Sequence, residues 1–242
     1  MHLDNTSSQR LDCVVVSLGG SMLYKDGTME VDEEYLNKFC FFVGEALQKK
    51  EKIIVVVGGG ARAKQYAERA RAETKSEFFA DREAIKATRE NAELVIKQLG
   101  PKAFQEVIKT PDEATEAISS GKVGVSGGFL EGITTDACAV IIAERVGASQ
   151  VINVSSIDGV YDSDPRKNPS AKKFSEMTHG QLVELATRSD DRLARTNFVF
   201  DLVACKLAAR SNIEIHFVNG HDLAQVEKAI LGEKHGGTVV RN

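Results

Sequence analysis

The sequence lacks the markers of several classes of protein. Its four cysteines are widely spaced in apolar surroundings, with no C-x-x-C pair and no pairing with histidine that would indicate a zinc site. No apolar run approaches the length of a membrane span, and residues 1–12 have no apolar core of a signal peptide. A net charge of -4 gives no electrostatic reason to expect binding to nucleic acid or to an anionic membrane. We therefore expect a cytoplasmic protein with buried free thiols and without nucleic-acid or membrane partners.

Two common nucleotide-binding motifs are also absent. No G-x-x-x-x-G-K-[ST] sequence occurs, and the glycines at 58–60 lack the G-x-G-x-x-G spacing. The composition, 42% hydrophobic and 27% charged over 242 residues, is ordinary for a globular protein that buries a substantial core. Residues 1–12 are expected to form a flexible tail, and residues 13–242 a single domain.

The rest of the chain is organised around residues 53–57, whose sequence is IIVVV, and the three glycines that follow them. Five consecutive β-branched residues predict a strand buried on both faces. Residues 61–73 are rich in helix formers and contain neither glycine nor proline, so a helix is predicted there. Such a loop can bind phosphate, because backbone N–H groups and the helix dipole converge where no Cβ blocks approach. The alternative is a tight βα turn that uses glycine only for its backbone freedom.

The same pattern of a strand followed by glycines occurs twice more. Residues 14–18 form an apolar run that ends in Gly19-Gly20, and residues 123–126 form a shorter one that ends in Gly127-Gly128. In open α/β sheets, ligands bind at the carboxyl ends of the strands. The three loops are therefore expected to face one crevice and to bind several phosphates.

Predicted strands and helices alternate along the chain. Helices are predicted at 32–50, 61–73, 81–99, 134–146, 178–186, 200–211 and 222–231, and strands at 14–18, 53–57, 123–126, 151–154, 213–218 and 238–240. This alternation indicates a mainly parallel sheet covered by helices on both faces, which is a three-layer αβα sandwich of the α/β class.

Five motifs occur in the order and spacing seen in amino-acid-kinase-fold proteins. They are Val16-Ser17-Leu18-Gly19-Gly20-Ser21, Val57-Gly58-Gly59-Gly60, Thr88-Arg89-Glu90-Asn91-Ala92, Gly132-Ile133-Thr134-Thr135-Asp136-Ala137, and Asp158-Gly159-Val160-Tyr161 with Asp164-Pro165. The combination resembles the archaeal-type uridylate kinase family, and so does the segment 201–220. The resemblance implies an amino-acid-kinase-like fold and transfer of the ATP γ-phosphate to UMP in pyrimidine nucleotide biosynthesis. It also implies Mg²⁺ bound with ATP and a homohexamer.

The resemblance also implies roles for individual residues, with acceptor binding in 13–150 and ATP binding in 151–242. The residues implied for organising metal and phosphates are Asp136 and Asp201. Those implied for ATP binding are Gly20, Ser21, Gly60, Lys64, Ser155, Ser156, Tyr161 and Asp164. Those implied for UMP binding are Gly59, Asp81, Phe129, Leu130, Glu131, Gly132, Ile133, Thr134 and Thr135, with Asp81 on the ribose hydroxyls. For both catalytic aspartates the alternative is a helix cap, because each stands near a predicted helix start.

The chain departs from the family pattern in these loops. Ser17 stands where many relatives have a lysine, and Lys64 where an arginine is usual, which leaves Lys64 and Arg62 as candidates for contacting phosphates. Phe129 replaces a hydrogen-bonding threonine, and Glu131 adds negative charge near the expected acceptor phosphate. Two alternatives therefore stay open. One is a kinase of the same fold with another small phosphate or carboxylate acceptor, and the other is a non-catalytic nucleotide- or oxyanion-binding protein.

Overall fold

The described strands form one eight-stranded sheet. The computed structural model describes residues 11–49, 52–165, 167–189 and 200–242. The strands are β1 Leu11–Leu18, β2 Lys52–Val57, β3 Ala103–Ile108, β4 Val123–Ser126, β5 Ala148–Ser155, β6 Glu176–Met177, β7 Glu214–Asn219 and β8 Thr238–Val240. Their order across the sheet is β3-β4-β2-β1-β5-β7-β8-β6, and every pairing is parallel except the one between β7 and β8.

Helices cover both faces of this sheet. They are α1 Glu33–Lys49, α2 Gly60–Thr74, α3 Glu77–Leu99, α4 Pro111–Ser119, α5 Thr135–Val146, α6 His179–Ser189, α7 Leu202–Ser211 and α8 Leu223–Leu231. One apolar cluster contains buried residues of α1, α3 and α8, and the other contains buried residues of α4, α5, α6 and α7. The predicted three-layer sandwich with a mainly parallel sheet is confirmed.

Strand β2 lies in the middle of this arrangement, and its side chains serve both layers. Because side chains alternate along a strand, Ile54 and Val56 belong to one apolar cluster, while Ile53, Val55 and Val57 belong to the other. All five are 0% exposed. Each contributes roughly 1.5–3 kcal/mol by its burial, so this strand supports both halves of the core.

The helix ends follow local chemistry. The Asp32 carboxylate accepts a hydrogen bond from the Tyr35 backbone N–H at 2.9 Å, immediately before α1. Helix α5 ends at Gly147, whose φ of 72° lies in the left-handed region that favours glycine. Both features agree with the sequence prediction.

The sequence analysis missed the elements between 100 and 122. Strand β3 lies at the sheet edge and exposes Gln105 and Glu106, so its sequence has no continuous apolar run. Helix α4 begins after Thr110, whose hydroxyl accepts a hydrogen bond from the Glu113 backbone N–H. Neither element was predicted, because a short edge strand and a nine-residue helix have weak hydrophobic patterns.

The predicted boundaries shift by a few residues at several places. Helix α3 begins at Glu77, four residues before the predicted start, and β1 begins at Leu11, inside the expected tail. The rest of that tail, 1–10, lies outside the described residues, as does Lys50 at the predicted end of the first helix. Within the described ranges, no helix is both long enough and apolar enough to cross a membrane.

The cysteines lie in the core. Cys40, Cys138 and Cys205 are buried free thiols, and Cys13 is buried as well. Burial raises the pKa of the Cys40 thiol to about 12 and that of Cys138 to about 11, so these thiols stay protonated at neutral pH.

Candidate active site

Loops leave the carboxyl edge of the neighbouring strands β4, β2, β1 and β5, and those after β2, β1 and β5 line a cleft of about 620 Å³. We call residues 19–21 the first glycine loop, 58–60 the second glycine loop and 127–134 the acceptor loop. The two glycine loops line the cleft together with residues 155–157 after β5 and the start of α5. Two of the three loops predicted to face one crevice, those after β1 and β2, do so, whereas Gly127 and Gly128 after β4 are not among the described residues that line the cleft.

The two glycine loops pack backbone against backbone. A Cβ on Gly20 would stand 2.3 Å from the Gly58 carbonyl oxygen and from the Gly60 nitrogen, so a larger residue at this position displaces the neighbouring loop. Gly60 has a φ of 57°, which favours glycine, and Gly58 N–H donates to the Leu18 carbonyl at 2.8 Å. The glycines of both loops therefore bring only backbone to the cleft.

Helix α2 points its N-terminus into the cleft. Its cap residue, Gly59, makes no side-chain hydrogen bond to the first turn, and both Gly60 and Ala61 line the cleft. The first N–H groups of the helix are therefore open to a ligand, and the helix dipole adds partial positive charge. This arrangement can bind phosphate.

Side-chain positive charge in the cleft is sparse. Among the described residues that line it, Lys64 is the only lysine or arginine, and its Nζ lies 3.7 Å from the Glu68 carboxylate. Arg62, the other candidate from the sequence, lies outside the cleft lining. Its guanidinium is 3.4 Å from the Glu90 carboxylate and 5.5 Å from the centre of the Tyr24 ring. Backbone N–H groups therefore carry most of the capacity for anions.

Asp136 sits on the floor of the cleft between β1 and β5. Its Oδ1 accepts hydrogen bonds from Ser17 Oγ at 2.9 Å and from Asn153 Nδ2 at 3.2 Å, and these two donors face each other in the strand register. The carboxylate keeps a little contact with the cleft, yet the protein around it excludes most water. That desolvation raises the pKa of Asp136 to about 6, against the opposing hydrogen bond from Ser17 and with a further increase from the charge of Asp201.

The alternative role as a helix cap holds for only one of the two catalytic candidates. The hydroxyl of Thr134 caps α5 by accepting from the Ala137 backbone N–H at 3.3 Å, so Asp136 is not the cap. Asp201, by contrast, is the cap of α7 and accepts from the Ala204 backbone N–H at 2.9 Å. Asp201 therefore serves as a cap while its charge still reaches Asp136.

The predicted ATP residues after β5 are only partly brought together. Ser155 and Ser156 line the cleft, whereas Tyr161 and Asp164 do not. The Tyr161 hydroxyl donates to the Asp158 carboxylate at 2.7 Å, and the backbone carbonyl of Asp164 accepts from N–H groups of the following turn. A separate, smaller hollow of about 370 Å³ is lined in part by Asp158 of this segment.

The acceptor loop does not line the cleft, although Thr135 directly after it does. The loop is instead held against α3. The Gly132 backbone N–H donates to the Asp81 carboxylate at 2.9 Å, and Arg89 Nε donates to the Gly128 carbonyl at 3.1 Å. Among the remaining predicted acceptor residues, Phe129 and Ile133 pack against the core and Leu130 is exposed. The loop therefore presents backbone and a few polar groups, with its aromatic residue turned partly inward.

Glu131 has a partner that the sequence did not reveal. Its Oε1 lies 3.4 Å from Arg82 Nε, and the same guanidinium lies 4.9 Å from the centre of the Phe78 ring. The expected uncompensated negative charge near the acceptor is therefore offset by a neighbouring cation. Because Arg82 is half exposed, solvent screens this pair.

Three residues with structural roles at the site were not assigned from the sequence. Asn153 holds Asp136, and Thr88 and Asn91 hold the loops from α3. A signal existed for each, since Asn153 is a polar residue inside an apolar strand and the other two belong to the motif at 88–92. Nothing in the sequence indicated which groups they would contact.

The carboxylates suit a metal that is held jointly with phosphate. In the part of the chain that the structure describes, no group of three or more His, Cys, Asp or Glu residues is arranged to hold a metal ion. Mg²⁺ does not need such a cage, because it commonly takes one or two protein carboxylates and completes its shell with phosphate oxygens and water. Asp136 lines the cleft and could supply one such carboxylate, whereas Asp201 is not among the described residues that line the cleft and acts on Asp136 through its charge.

Known proteins are similar to this chain in sequence and in fold. The model of the amino acid kinase family matches residues 12–219. The uridylate kinase of Methanospirillum hungatei is 37% identical over 94% of this chain and 94% of its own length, and that of Methanocorpusculum labreanum is 38% identical over 95% of each. A crystal structure of uridylate kinase from Archaeoglobus fulgidus matches with a TM-score of 0.80 and 36% identity, covering 94% of this chain and 99% of that one. UMP kinase from Bacillus anthracis, at 20% identity and a TM-score of 0.76, shares the fold.

Proposed function

Because the chain belongs to the amino acid kinase family, we propose that it is a UMP kinase that transfers the ATP γ-phosphate to UMP, giving UDP and ADP. The observation that carries the proposal is the cleft in which two glycine loops, the N-terminus of α2 and the Asp136 carboxylate meet beside the acceptor loop. The uridylate kinases of the two methanogens support the choice of acceptor, since each aligns with nearly the whole chain.

ATP and UMP bind at opposite ends of this site. On the ATP side, the phosphates meet Gly20, Ser21, Gly60 and Lys64, while the nucleoside extends past Ser155 and Ser156 toward Tyr161 and Asp164. On the UMP side, Gly59, Asp81 and the acceptor loop to Thr135 enclose the nucleotide. The acceptor part is residues 13–150 and the ATP part is residues 151–242, within one domain that spans 13–242.

Phosphoryl transfer needs little covalent chemistry from the protein. Positioning and charge neutralisation account for most of the catalysis, so no nucleophilic side chain is required. The N–H groups at the start of α2 and the Lys64 ammonium offset the charge of the transferred phosphoryl group, while the glycine loops let the phosphates approach the backbone. The weak side-chain charge of the cleft is therefore compatible with catalysis.

Asp136 and Asp201 are the residues that would hold Mg²⁺ with ATP. Bound there, the ion would supply positive charge that offsets the negative charge on the phosphates during transfer. Ser17 and Asn153 orient the Asp136 carboxylate by donating to the same oxygen, which leaves the other oxygen for the ligand. Asp201 is oriented by its cap bond to the Ala204 N–H.

A coupled ADP-release assay tests the proposal. The protein is supplied with Mg²⁺ and ATP, and the acceptors compared are UMP, CMP, AMP, acetylglutamate and isopentenyl phosphate. We expect kcat/KM for UMP to exceed that for every other acceptor by at least ~10-fold, which is ~1.4 kcal/mol of discrimination. A preference for acetylglutamate or isopentenyl phosphate would assign a different acceptor, and no turnover on any acceptor would assign a binding function.

Three finer points remain predictions. A role in pyrimidine nucleotide biosynthesis follows from UDP as the product. The homohexamer is checked by light scattering coupled to size-exclusion chromatography, and the cytoplasmic location by fractionation of the source cells.

A further inference from the structure

Helix α3 places two buried polar side chains between the loops of the site. Thr88 is 6% exposed and Asn91 is 0% exposed, and among the described residues of α3 they are the only buried side chains that carry polar groups. They lie three positions apart, so both project from one face of the helix about 4.5 Å apart along its axis. Neither has a role in the proposed chemistry.

Thr88 contacts both the acceptor loop and the second glycine loop. Its hydroxyl oxygen accepts a hydrogen bond from the Gly128 backbone N–H at 2.7 Å and donates to the Ile85 carbonyl at 2.6 Å. Its methyl group faces the other loop, because a Cβ on Gly59 would lie 3.3 Å from Thr88 Cγ2. One side chain therefore lies between the second glycine loop and the acceptor loop.

Asn91 holds the second glycine loop from below. Its Nδ2 donates to the carbonyl of Gly58 at 2.8 Å and to that of Gly59 at 3.3 Å. Its Oδ1 accepts from the hydroxyl of Tyr24, which prevents the amide from turning over. Since these carbonyls belong to the peptides that lead into α2, Asn91 also sets the direction of the N–H groups that face the cleft.

We propose that Thr88 and Asn91 are positioning residues that set the distance between the ATP phosphates and the acceptor phosphate. The proposal rests on the proposed kinase function and adds two residues to it. The acceptor loop meets UMP, the second glycine loop meets ATP through Gly60 and UMP through Gly59, and both loops are held by the same rigid helix. The helix therefore acts as a spacer, and the gap between the bound substrates depends on the two side chains.

Transfer is sensitive to this gap. A misplacement of about 1 Å can cost roughly 10²-fold in rate even when binding is intact. A loss of either contact should therefore lower kcat while each substrate, measured alone, still binds. A side chain with only a structural role would lower thermal stability without this separation between turnover and binding.

Thr88→Val and Thr88→Ser test the hydroxyl. Valine keeps the methyl group but has a second methyl in place of the hydroxyl that accepts from Gly128 N–H, whereas serine keeps the hydroxyl. We expect kcat to fall ~10- to 100-fold in Thr88→Val and to stay within about threefold in Thr88→Ser, with the Kd of ATP alone and of UMP alone changed less than about threefold in both. Assays are run well below the lower melting temperature.

Thr115→Val is the matched control. The Thr115 hydroxyl on α4 is buried and has no hydrogen-bond partner among the described residues, so its removal should leave kcat and both Kd values unchanged. If kcat of Thr88→Val stays within about twofold of the wild type, or if Thr88→Ser loses as much as Thr88→Val, the positioning role is wrong. It is equally wrong if weaker binding of the separate substrates accounts for the whole loss.

Amide hydrogen exchange in the free protein separates this inference from the kinase assignment. Thr88→Val should speed exchange in residues 127–132, and Asn91→Ala should speed it in residues 58–60, since each loop loses its support. If the wild type does not phosphorylate UMP, the kinase proposal fails, and the exchange data still decide whether α3 holds the loops. Unchanged exchange in both variants would overturn the spacer.

Discussion

The two sides of the cleft are held in place by different kinds of contact. On the ATP side, the two glycine loops meet backbone to backbone, with a Gly20 Cβ position only 2.3 Å from the neighbouring loop. On the proposed UMP side, the acceptor loop is hydrogen-bonded to side chains of α3, among them Asp81, Arg82 and Thr88. The close backbone packing of the glycine loops leaves no room for an added atom. The acceptor loop, by contrast, is held by several side-chain contacts at once.

The difference indicates where substitutions can occur without loss of the fold or the reaction. The glycine loops are defined by what is missing from them, so any side chain interferes with both packing and phosphate approach. The acceptor loop can change one contact at a time, because the remaining contacts keep it near α3. The departures from the family pattern at Phe129 and Glu131 fall on this more tolerant side.

The largest effect is expected at Asp201. Asparagine is also a good cap, so Asp201→Asn should leave the melting temperature nearly unchanged while removing the charge that we propose acts on metal and phosphates. We expect kcat to fall ~10²- to 10³-fold, measured in the coupled assay at saturating substrates. Asp222→Asn is the control, because Asp222 caps α8 by the same kind of bond to Gln225 N–H. An unchanged kcat in Asp201→Asn would reduce Asp201 to a cap.

Gly20→Ala is expected to rank next. The new Cβ would overlap the backbone of the second glycine loop, and a shift of about 1 Å should lower kcat/KM by roughly 10²-fold or more with a stability loss of ~1–3 kcal/mol. Gly180→Ala is the control, since outside its own stretch of helix backbone the nearest described atom to a Cβ there is Thr178 Oγ1 at 3.8 Å. The backbone-contact argument fails if Gly20→Ala retains wild-type activity.

Asp136 links activity to pH and stability. Its pKa of about 6 exceeds the ordinary 3.8, so the folded state holds this proton more tightly than the unfolded state. The stabilising contribution is complete below about pH 4 and is lost as pH rises to about 6, where ionisation costs ~1–3 kcal/mol. Asp136→Asn should therefore raise the free energy of unfolding at neutral pH, shrink that gain in acid, and also lower turnover. Urea denaturation across this pH range measures the gain, and a pH-independent difference would contradict it.

A smaller effect is expected at Asp81 on the acceptor side. Asp81→Asn keeps an oxygen for the Gly132 N–H but loses the charge that strengthens bonds to ribose hydroxyls. We expect the Kd of UMP to rise ~5- to 10-fold and that of ATP to change little, as measured by calorimetry. Equal weakening of both ligands would show that Asp81 supports the fold of the site as a whole.

The smallest effect is expected at Glu131. Its charge is offset by Arg82 in an exposed ion pair worth ~0–1 kcal/mol, so Glu131→Gln should change the KM for UMP by less than ~3-fold. Glu184→Gln breaks a comparable exposed pair with Arg188 on α6 and serves as the control. A large fall in KM at low salt would restore the repulsion expected from the sequence, and a large rise would make Glu131 a ligand of the acceptor.

Much of the fold could be read from local pattern. The β-branched run 53–57, the glycines behind it and the alternation of strands with helices depend on neighbours in the chain, so they predicted a buried parallel sheet with loops at one edge. Strand β3 was not predicted, because Gln105 and Glu106 interrupt its apolar residues at an exposed edge of the sheet. Helix α4 escaped because nine residues are too few for a strong period.

The chemical environment of the site depended on the order of strands in the sheet. Ser17 and Asp136 are separated by 119 positions in the chain, and only the pairing of β1 with β5 sets Ser17 opposite Asn153 so that both donate to one carboxylate. The pairing of Glu131 with Arg82 likewise required α3 to lie beside the acceptor loop. The sequence by itself determined which segments become strands, helices and glycine loops, because these follow from short-range periodicity and backbone freedom. Tertiary structure alone decided which side chains share a hydrogen bond or a charge, because desolvation and Coulomb energy depend on distances in space that short-range pattern does not encode.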